Sequence, residues 1–207
     1  MNSAVLAQLK QDRRPHPLAG QTKAPKSLRL KANRWILVEP IHCHQRLAAN
    51  TLVAQLRKCD KDAFMVEALC KVNPEGLTFF FDHEIDHIPG MVQVNMFRQA
   101  ALAFAHLVYG VPINWLALLD WMGVRLLNYG ELNTKTILRF RLQDLKVTKH
   151  RMELSWDGVL LQDPYPIMSA RGKCVMLSPE LGKQVRFRKT ELDMSSGFIP
   201  KEWLPSI

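Results

Sequence analysis

Hydrophobic and polar positions follow two different periods along this chain. From Thr136 to Val147 (TILRFRLQDLKV), Leu138, Phe140 and Leu142 alternate with Arg139, Arg141 and Gln143. That is the pattern of a strand with one covered face. The phase slips at Leu145 and Val147, which predicts a bulge or sharp bend at Asp144. Met152, Leu154 and Trp156 alternate again, and Asp157-Gly158 reads as a tight hairpin turn. Val159 to Leu177 reads as the returning strand, with Pro164 and Pro166 imposing an edge or a bend. Gln184 to Arg188 reads as a last short strand. Upstream, Asn50 to Arg57 and Ala63 to Val72 read as strands around a charged turn at Asp60 to Asp62. Asn73-Pro74-Glu75-Gly76 is a turn signal. Arg34 to Pro40 fits either a strand or a segment laid across the domain. Asn114 to Tyr129 is dense in Trp, Leu and Met and reads as a fully buried run. Such a run has no useful period; helix and strand both fit, and context favours extended structure.

The stretch from Leu77 to Pro112 organises the rest. Leu77 to Phe81 is strand-like, and Asp82 to Gly90 is a loop with two Asp-His pairs closed by Pro-Gly. From Met91, apolar residues fall at helical spacing: Val94, Phe97, Ala101, Phe104, Leu107 and Val108. Ala100, Ala101, Ala103 and Ala105 suit a helix lying close to a sheet. Pro89 suits the first turn, and Gly110 with Pro112 marks the stop. The sum is an α+β architecture: a curved antiparallel sheet wrapped round one long central helix.

A hydrophobic fraction of 47% in 207 residues supports a real core. The net charge of +9 favours an acidic or phosphorylated partner. Much of it sits in Met1 to Asn33, a Pro-containing basic stretch read as a solvated extension. The expected division is an extension over 1–33, the main domain over 34–190 and a coil tail over 191–207. Nucleic acid is disfavoured, because the basic residues are dispersed or in that arm, without a helix-turn-helix or stacking motif. The apolar runs are too short to span a bilayer. Cys43, Cys59, Cys70 and Cys174 show no CxxC spacing, and no secretory signal is read, so reduced thiols in a cytoplasmic protein are expected.

The sequence DHEIDHIPGM followed by FRQAALAFAHLVYGVP resembles the A-factor biosynthesis family, the butyrolactone-signal synthases with hotdog folds. IHCHQRLAANTLVAQL, DAFMVEAL, WDG and ARGKCVMLSPELGKQVRFRK extend the resemblance over roughly Val38 to Lys189. Wider relatives are the hydroxyacyl-carrier-protein dehydratases. The resemblance implies a single hotdog domain, completed by a second copy in a homodimer. It also implies transfer of a fatty acyl group, often β-keto, from acyl carrier protein to a small phosphorylated alcohol; acyl-CoA is the alternative donor. No cofactor is expected.

Acyl transfer needs a base for the attacking hydroxyl and donors for the oxyanion. His83 is the leading base and His87, beside Asp86, the second. The N–H groups near Gly90, Met91 and Val92 suit an oxyanion or phosphate. Asn95 stands where relatives generally carry a glutamate, the catalytic partner of the histidine in the dehydratases. An amide transfers no proton at neutral pH, which disfavours dehydration. Acyl transfer survives, as does a non-catalytic acyl-binding or partner-binding module. A dehydratase or thioesterase relative is a further alternative.

Structural readings stand beside these. Asp82 and Asp86 also suit loop-holding bonds to backbone N–H groups. Arg98, on an otherwise apolar helix, needs a carboxylate, carbonyl or phosphate: Asp82 or Asp86 on the structural reading, ligand on the functional one. Gln99 suits either substrate contact or satisfaction of backbone groups. His42-Cys43-His44 could suggest a metal, but no second ligand pair has suitable spacing, and none is expected.

Overall fold

The alternating segment at 136–147 does become the middle of a sheet. The computed structural model describes residues 33–59, 64–77, 81 and 85–185. Among these the strands are β1 (Ile36–Leu37), β2 (Val53–Lys58), β3 (Met65–Cys70), β4 (Leu116–Leu126), β5 (Thr136–Val147), β6 (Arg151–Gln162) and β7 (Tyr165–Leu177). They form one sheet in the order β1-β2-β3-β5-β6-β7-β4, and every pair is antiparallel. The register slips between Leu142 and Asp144, so the predicted bulge falls at Gln143.

Helix α1 (Gly90–Tyr109) lies across the inner face. Pro89 stands one position before it, as the N-cap, and Gly110 ends it at φ 66, a left-handed position that favours glycine. Gly110 and Val111 return N–H bonds to His106 and Ala105, closing the last carbonyls. Met96, Phe97, Ala100, Ala103 and Phe104 of α1 are buried against Leu138, Phe140, Met152, Trp156 and Leu160. Trp156 is the hub: its ring lies 5.6 Å from Phe97 and 5.1 Å from Phe140, both stacked. Each such side chain contributes about 1.5–3 kcal/mol on burial.

Several expectations change. Asp157-Gly158 is not a turn: β6 runs straight through it, with Asp157 opposite Arg141 and Arg171. A Cβ on Gly158 would lie 2.8 Å from the Arg139 carbonyl oxygen and 3.1 Å from Phe97. The glycine there serves close approach of helix to sheet, and the reversal falls at Asp163-Pro164, a cis peptide. Gln184 lies in a short helix, α2 (179–185), rather than a strand; Arg188 is outside the described residues. The Ser178-Pro179-Glu180 start explains this: the Ser178 hydroxyl accepts from the Leu181 N–H, proline fits the first turn, and an acid suits the N-terminus. Leu77 and Phe81 are not in a strand, and 78–80 lie outside the described residues, as do the Asp60 to Asp62 turn, the basic arm through 32 and the tail from 186.

The largest departure is β4. It is extended, as context suggested, but it is not buried. It forms the outer edge beside β7, with Leu118, Leu119, Trp121, Val124 and Leu126 exposed.

Candidate functional site

Register identifies the side chains that share the inner face. Leu154 stands opposite Cys174 and then Leu119; Trp156 opposite Gly172 and then Met122; Gly158 opposite Ala170 and then Val124; Leu160 opposite Met168 and then Leu126. The β4 members of these rows are apolar. Leu119, Val124 and Leu126 remain 50%, 48% and 61% exposed, although they share a face with the core. A Cβ on Gly90 would sit 3.8 Å from the methyls of Leu126, so α1 begins beside the end of β4. The result is an apolar trough along the inner face of β4, open on its outer side.

At the mouth of α1, the Val92 and Gln93 N–H groups both return to the Pro89 carbonyl. Gly90 and Met91 therefore carry the N–H groups left for an incoming oxygen; Val92 does not. Gln93 reaches back to the Ile88 carbonyl at 2.9 Å, and the Ile88 N–H donates to Gly130, which pins the preceding loop. Asp86 Oδ1 and His87 Nδ1 are 3.0 Å apart, and His87 packs edge-on against Tyr129. The bond to His87 holds the Asp86 carboxyl below the usual carboxylate range. His83 and Asp82, the leading base and its neighbour, lie outside the described residues.

One turn into α1 the sequence placed Asn95 and Arg98, and they are joined: Arg98 Nε donates to Asn95 Oδ1 at 2.9 Å. Of the two expected carboxylate partners, Asp86 has a side chain that is 98% exposed and engaged with His87, and Asp82 lies outside the described residues. Among the described residues no carboxylate forms an ion pair with Arg98. Burial pulls the guanidinium below its ordinary pKa, and the Cys43 and Cys174 thiols are the groups it feels. Burial pushes the Cys43 thiol up to about 12 against the opposing pull of Arg98. Gln99 is fully buried and its amide is taken up by backbone: Oε1 accepts from the Leu52 N–H at 2.7 Å, and Nε2 donates to the Asn50 carbonyl at 2.8 Å.

Two features were not visible in the sequence. His106 donates from Nδ1 to the Val111 carbonyl at 2.7 Å, so its Nε2 is an acceptor, and it faces Nε2 of His44 at 2.9 Å. His44 of the HCH cluster is thus paired to a histidine sixty-two positions away, and among the described residues no three potential ligands converge on a metal position. A cleft of about 440 Å³ opens beside this pair, between Ile36, His42, His106 and Val111. It lies at the end of α1 remote from the Pro-Gly loop. The other feature is the indole N–H of Trp156, buried beside the Cys174 thiol: burial raises that thiol's pKa, and the hydrogen bond from the indole opposes the rise.

Comparisons with known proteins agree with this architecture. The dehydratase heterocomplex ApeI:P from Xenorhabdus doucetiae is similar at a TM-score of 0.55 and 15% identity, over 73% of this chain and 98% of that one. A mutant thioesterase from Pseudomonas aeruginosa gives 0.41 and 14%, over 59% and 81%. A thioesterase from Haemophilus influenzae gives 0.41 and 10%, over 59% and 78%. At these identities the likeness is one of fold. No curated protein matches the sequence. No helix among the described residues is long and apolar enough to cross a membrane. The family model for AfsA, the A-factor biosynthesis hotdog domain, matches residues 29–178, well over half of the chain, and the chain belongs to that family.

Proposed function

We propose that this protein moves a fatty acyl group from a carrier thioester to a small phosphorylated alcohol. The observation that carries the reading is the Asn95–Arg98 pair on α1 beside the open apolar trough of β4, in a chain of this family. The trough suits an alkyl chain, and the N–H groups of Gly90 and Met91 suit the thioester oxygen, with the helix dipole in support. His83 takes the proton of the attacking hydroxyl, with His87 as the alternative base. The new C–O bond forms as the thioester carbonyl becomes tetrahedral. Its collapse breaks the C–S bond, and the departing thiolate recovers the proton from the imidazolium. Asn95 holds Arg98 in place and supplies no proton, which separates this chemistry from dehydration.

An acidic carrier protein fits the net charge of +9. On the polar face of β5, Arg139 donates to Glu67 at 3.0 Å, which lowers its claim on such a carrier relative to the basic arm. Because β4 leaves a sheet edge and the trough uncovered, the working unit of this proposal is a homodimer joined through β4.

The test is acyl transfer from a panel of carrier thioesters to phosphorylated alcohols, followed by mass spectrometry. His83→Ala is expected to lower the rate about a hundred- to ten-thousand-fold. Asn95→Glu tests whether dehydration appears. Full activity in His83→Ala would move the base role to His87. Acyl binding without turnover in the wild type would favour the second reading, an acyl-binding module, which the amide at position 95 supports.

A further inference from the structure

A glycine inside a strand weakens it, and it marks a place where a neighbour needs the room or a ligand comes close. Gly158 and Gly172 serve neighbours: a Cβ on the first would lie 2.8 Å from the Arg139 carbonyl oxygen, and on the second 2.9 Å from that of Trp121. Gly123 of β4 has no such reason. A Cβ there would meet only the Arg171 side chain, at an ordinary 3.9 Å, and its φ is not left-handed. Gly123 stands opposite Arg171, Arg171 opposite Asp157, and Arg125 opposite Ser169. Gly172 faces the buried Trp156 ring, so Ser169 and Arg171 on either side of it in the pleat face away from α1, as do Gly123 and Arg125 beside them. A cleft of about 360 Å³ lies on this back face, lined by Gly123, Arg125, Asp157, Ser169 and Arg171 among others. Among the described residues no carboxylate pairs with Arg125 or Arg171. Asp157 is hydrogen-bonded to Gln143, and Lys173, the next cation on this face, is held by Glu153 at 3.2 Å and Asp120 at 3.6 Å. Trp121 stands opposite Lys173, two residues before Gly123 on the same face, and is 47% exposed.

We propose that this back-face cleft binds a nucleoside diphosphate, with Arg125 and Arg171 on the phosphates and Trp121 stacked on the base. A guanidinium fork matches phosphate oxygens in pairs, and two forks without carboxylate partners at one cleft leave positive charge for an anion to neutralise. The volume falls within the range of small-molecule sites, about 300–1,000 Å³. Strand rise puts Trp121 about 7 Å from Gly123 and about 13 Å from Arg125, a span that base, ribose and two phosphates fill. An exposed indole offers its face to any base. The Ser169 hydroxyl is a donor for phosphate, and the Asp157 carboxylate an acceptor for a ribose hydroxyl. Gly123 leaves the room between them. The sheet separates this cleft from the acyl trough on its other face. The ligand is therefore a free nucleotide and not the head of an acyl carrier, and the site is independent of the acyl-transfer reading.

The experiment is calorimetry on the full chain with ADP, adenosine and inorganic phosphate as probes. Wild type is expected to bind ADP about tenfold or more tightly than either of the other two. Arg171→Gln should weaken ADP about tenfold, the worth of one hydrogen bond from a charged donor. Trp121→Leu should weaken ADP by a similar factor and leave inorganic phosphate unchanged, because only the base meets the indole. Gly123→Val fills the cleft while every charge stays in place, and valine suits a strand; ADP binding should fall about tenfold or more. Arg171 and Trp121 are exposed, so their variants keep the test open should Gly123→Val not fold. Absence of ADP binding at millimolar concentration overturns the site. So does equal affinity for ADP and adenosine, or unchanged ADP affinity in Arg171→Gln. Displacement of ADP by an acyl pantetheine analogue, or coenzyme A binding more tightly than ADP, overturns the free nucleotide as ligand while leaving acyl transfer standing.

Discussion

At the scale of the residue, His106 shows most directly how position fixes chemistry. It is 5% exposed, its Nδ1 is held by the Val111 carbonyl, and its Nε2 faces His44. Burial lowers its pKa below 6.5, with His44 and His42 adding to the effect; burial and then Arg98 lower that of His44. The unfolded chain therefore binds more protons than the folded one as pH falls through about 6.5. Stability is full above that value and declines toward the depressed folded pKa values. Urea midpoints should be level near pH 7.5 and fall between pH 6.5 and 5. His106→Asn should lower the midpoint, by about 1–3 kcal/mol in stability at neutral pH, and make that decline shallower. An unchanged pH slope in the variant would exclude His106 as its source. Legibility at this scale depended on sequence distance. Asp86 and His87 are neighbours, so their joining could be read; Asn95 and Arg98 are one turn apart, yet Arg98 was read toward Asp82, Asp86 or a ligand. His44 and His106 meet only because the turn at Pro40–Cys43 packs on the far end of α1. Trp156 read as one more apolar position in an alternating run; nothing in its spacing shows that its indole meets the Cys174 thiol.

Among the elements, α1 was legible almost to the residue, because Pro89 and Gly110 carry local backbone constraints that do not depend on the rest of the fold. Gly158 misled because glycine has two uses, a turn or a close approach, and only the tertiary structure decides. Gly172 belongs to the second use: a Cβ there would stand 2.9 Å from both the Trp121 carbonyl oxygen and the Trp156 ring. Gly172→Ala is expected to lower stability by about 1–3 kcal/mol, because the clash involves backbone on one side and a packed indole on the other. Gly182→Ala makes the contrast. Its Cβ would meet Leu116 at an ordinary 3.5 Å, within helix α2, so a gain of about 0.5–1 kcal/mol is expected. Thermal melts of the two variants should move in opposite directions; movement in the same direction would contradict the packing account.

For the whole molecule, β4 carries the main consequence. Its composition suggested a buried run, and the hydrophobicity was read correctly, but its cover is not supplied within the described part of one chain. Periodicity cannot report whether an apolar side chain is covered by its own chain or by another. The proposed homodimer makes a direct prediction. Wild type should sediment as a dimer at micromolar concentration, and Leu119→Glu combined with Val124→Lys should sediment as a folded monomer with unchanged helix content. A monomeric wild type would remove the dimer from the proposal.

The order of the strands also bears on how the protein is made. Leu116, at the start of β4, pairs with Leu177, at the end of β7, while β5 and β6 are neighbours both in sequence and in the sheet. During synthesis the helix and the β5–β6 hairpin can form as soon as they emerge. Strand β4, rich in exposed apolar residues, must wait, unpaired, until β7 has left the ribosome. The nascent chain thus holds Leu118, Leu119, Trp121, Val124 and Leu126 without a β partner through the greater part of its folding, and this window is where a chaperone, or aggregation, would act.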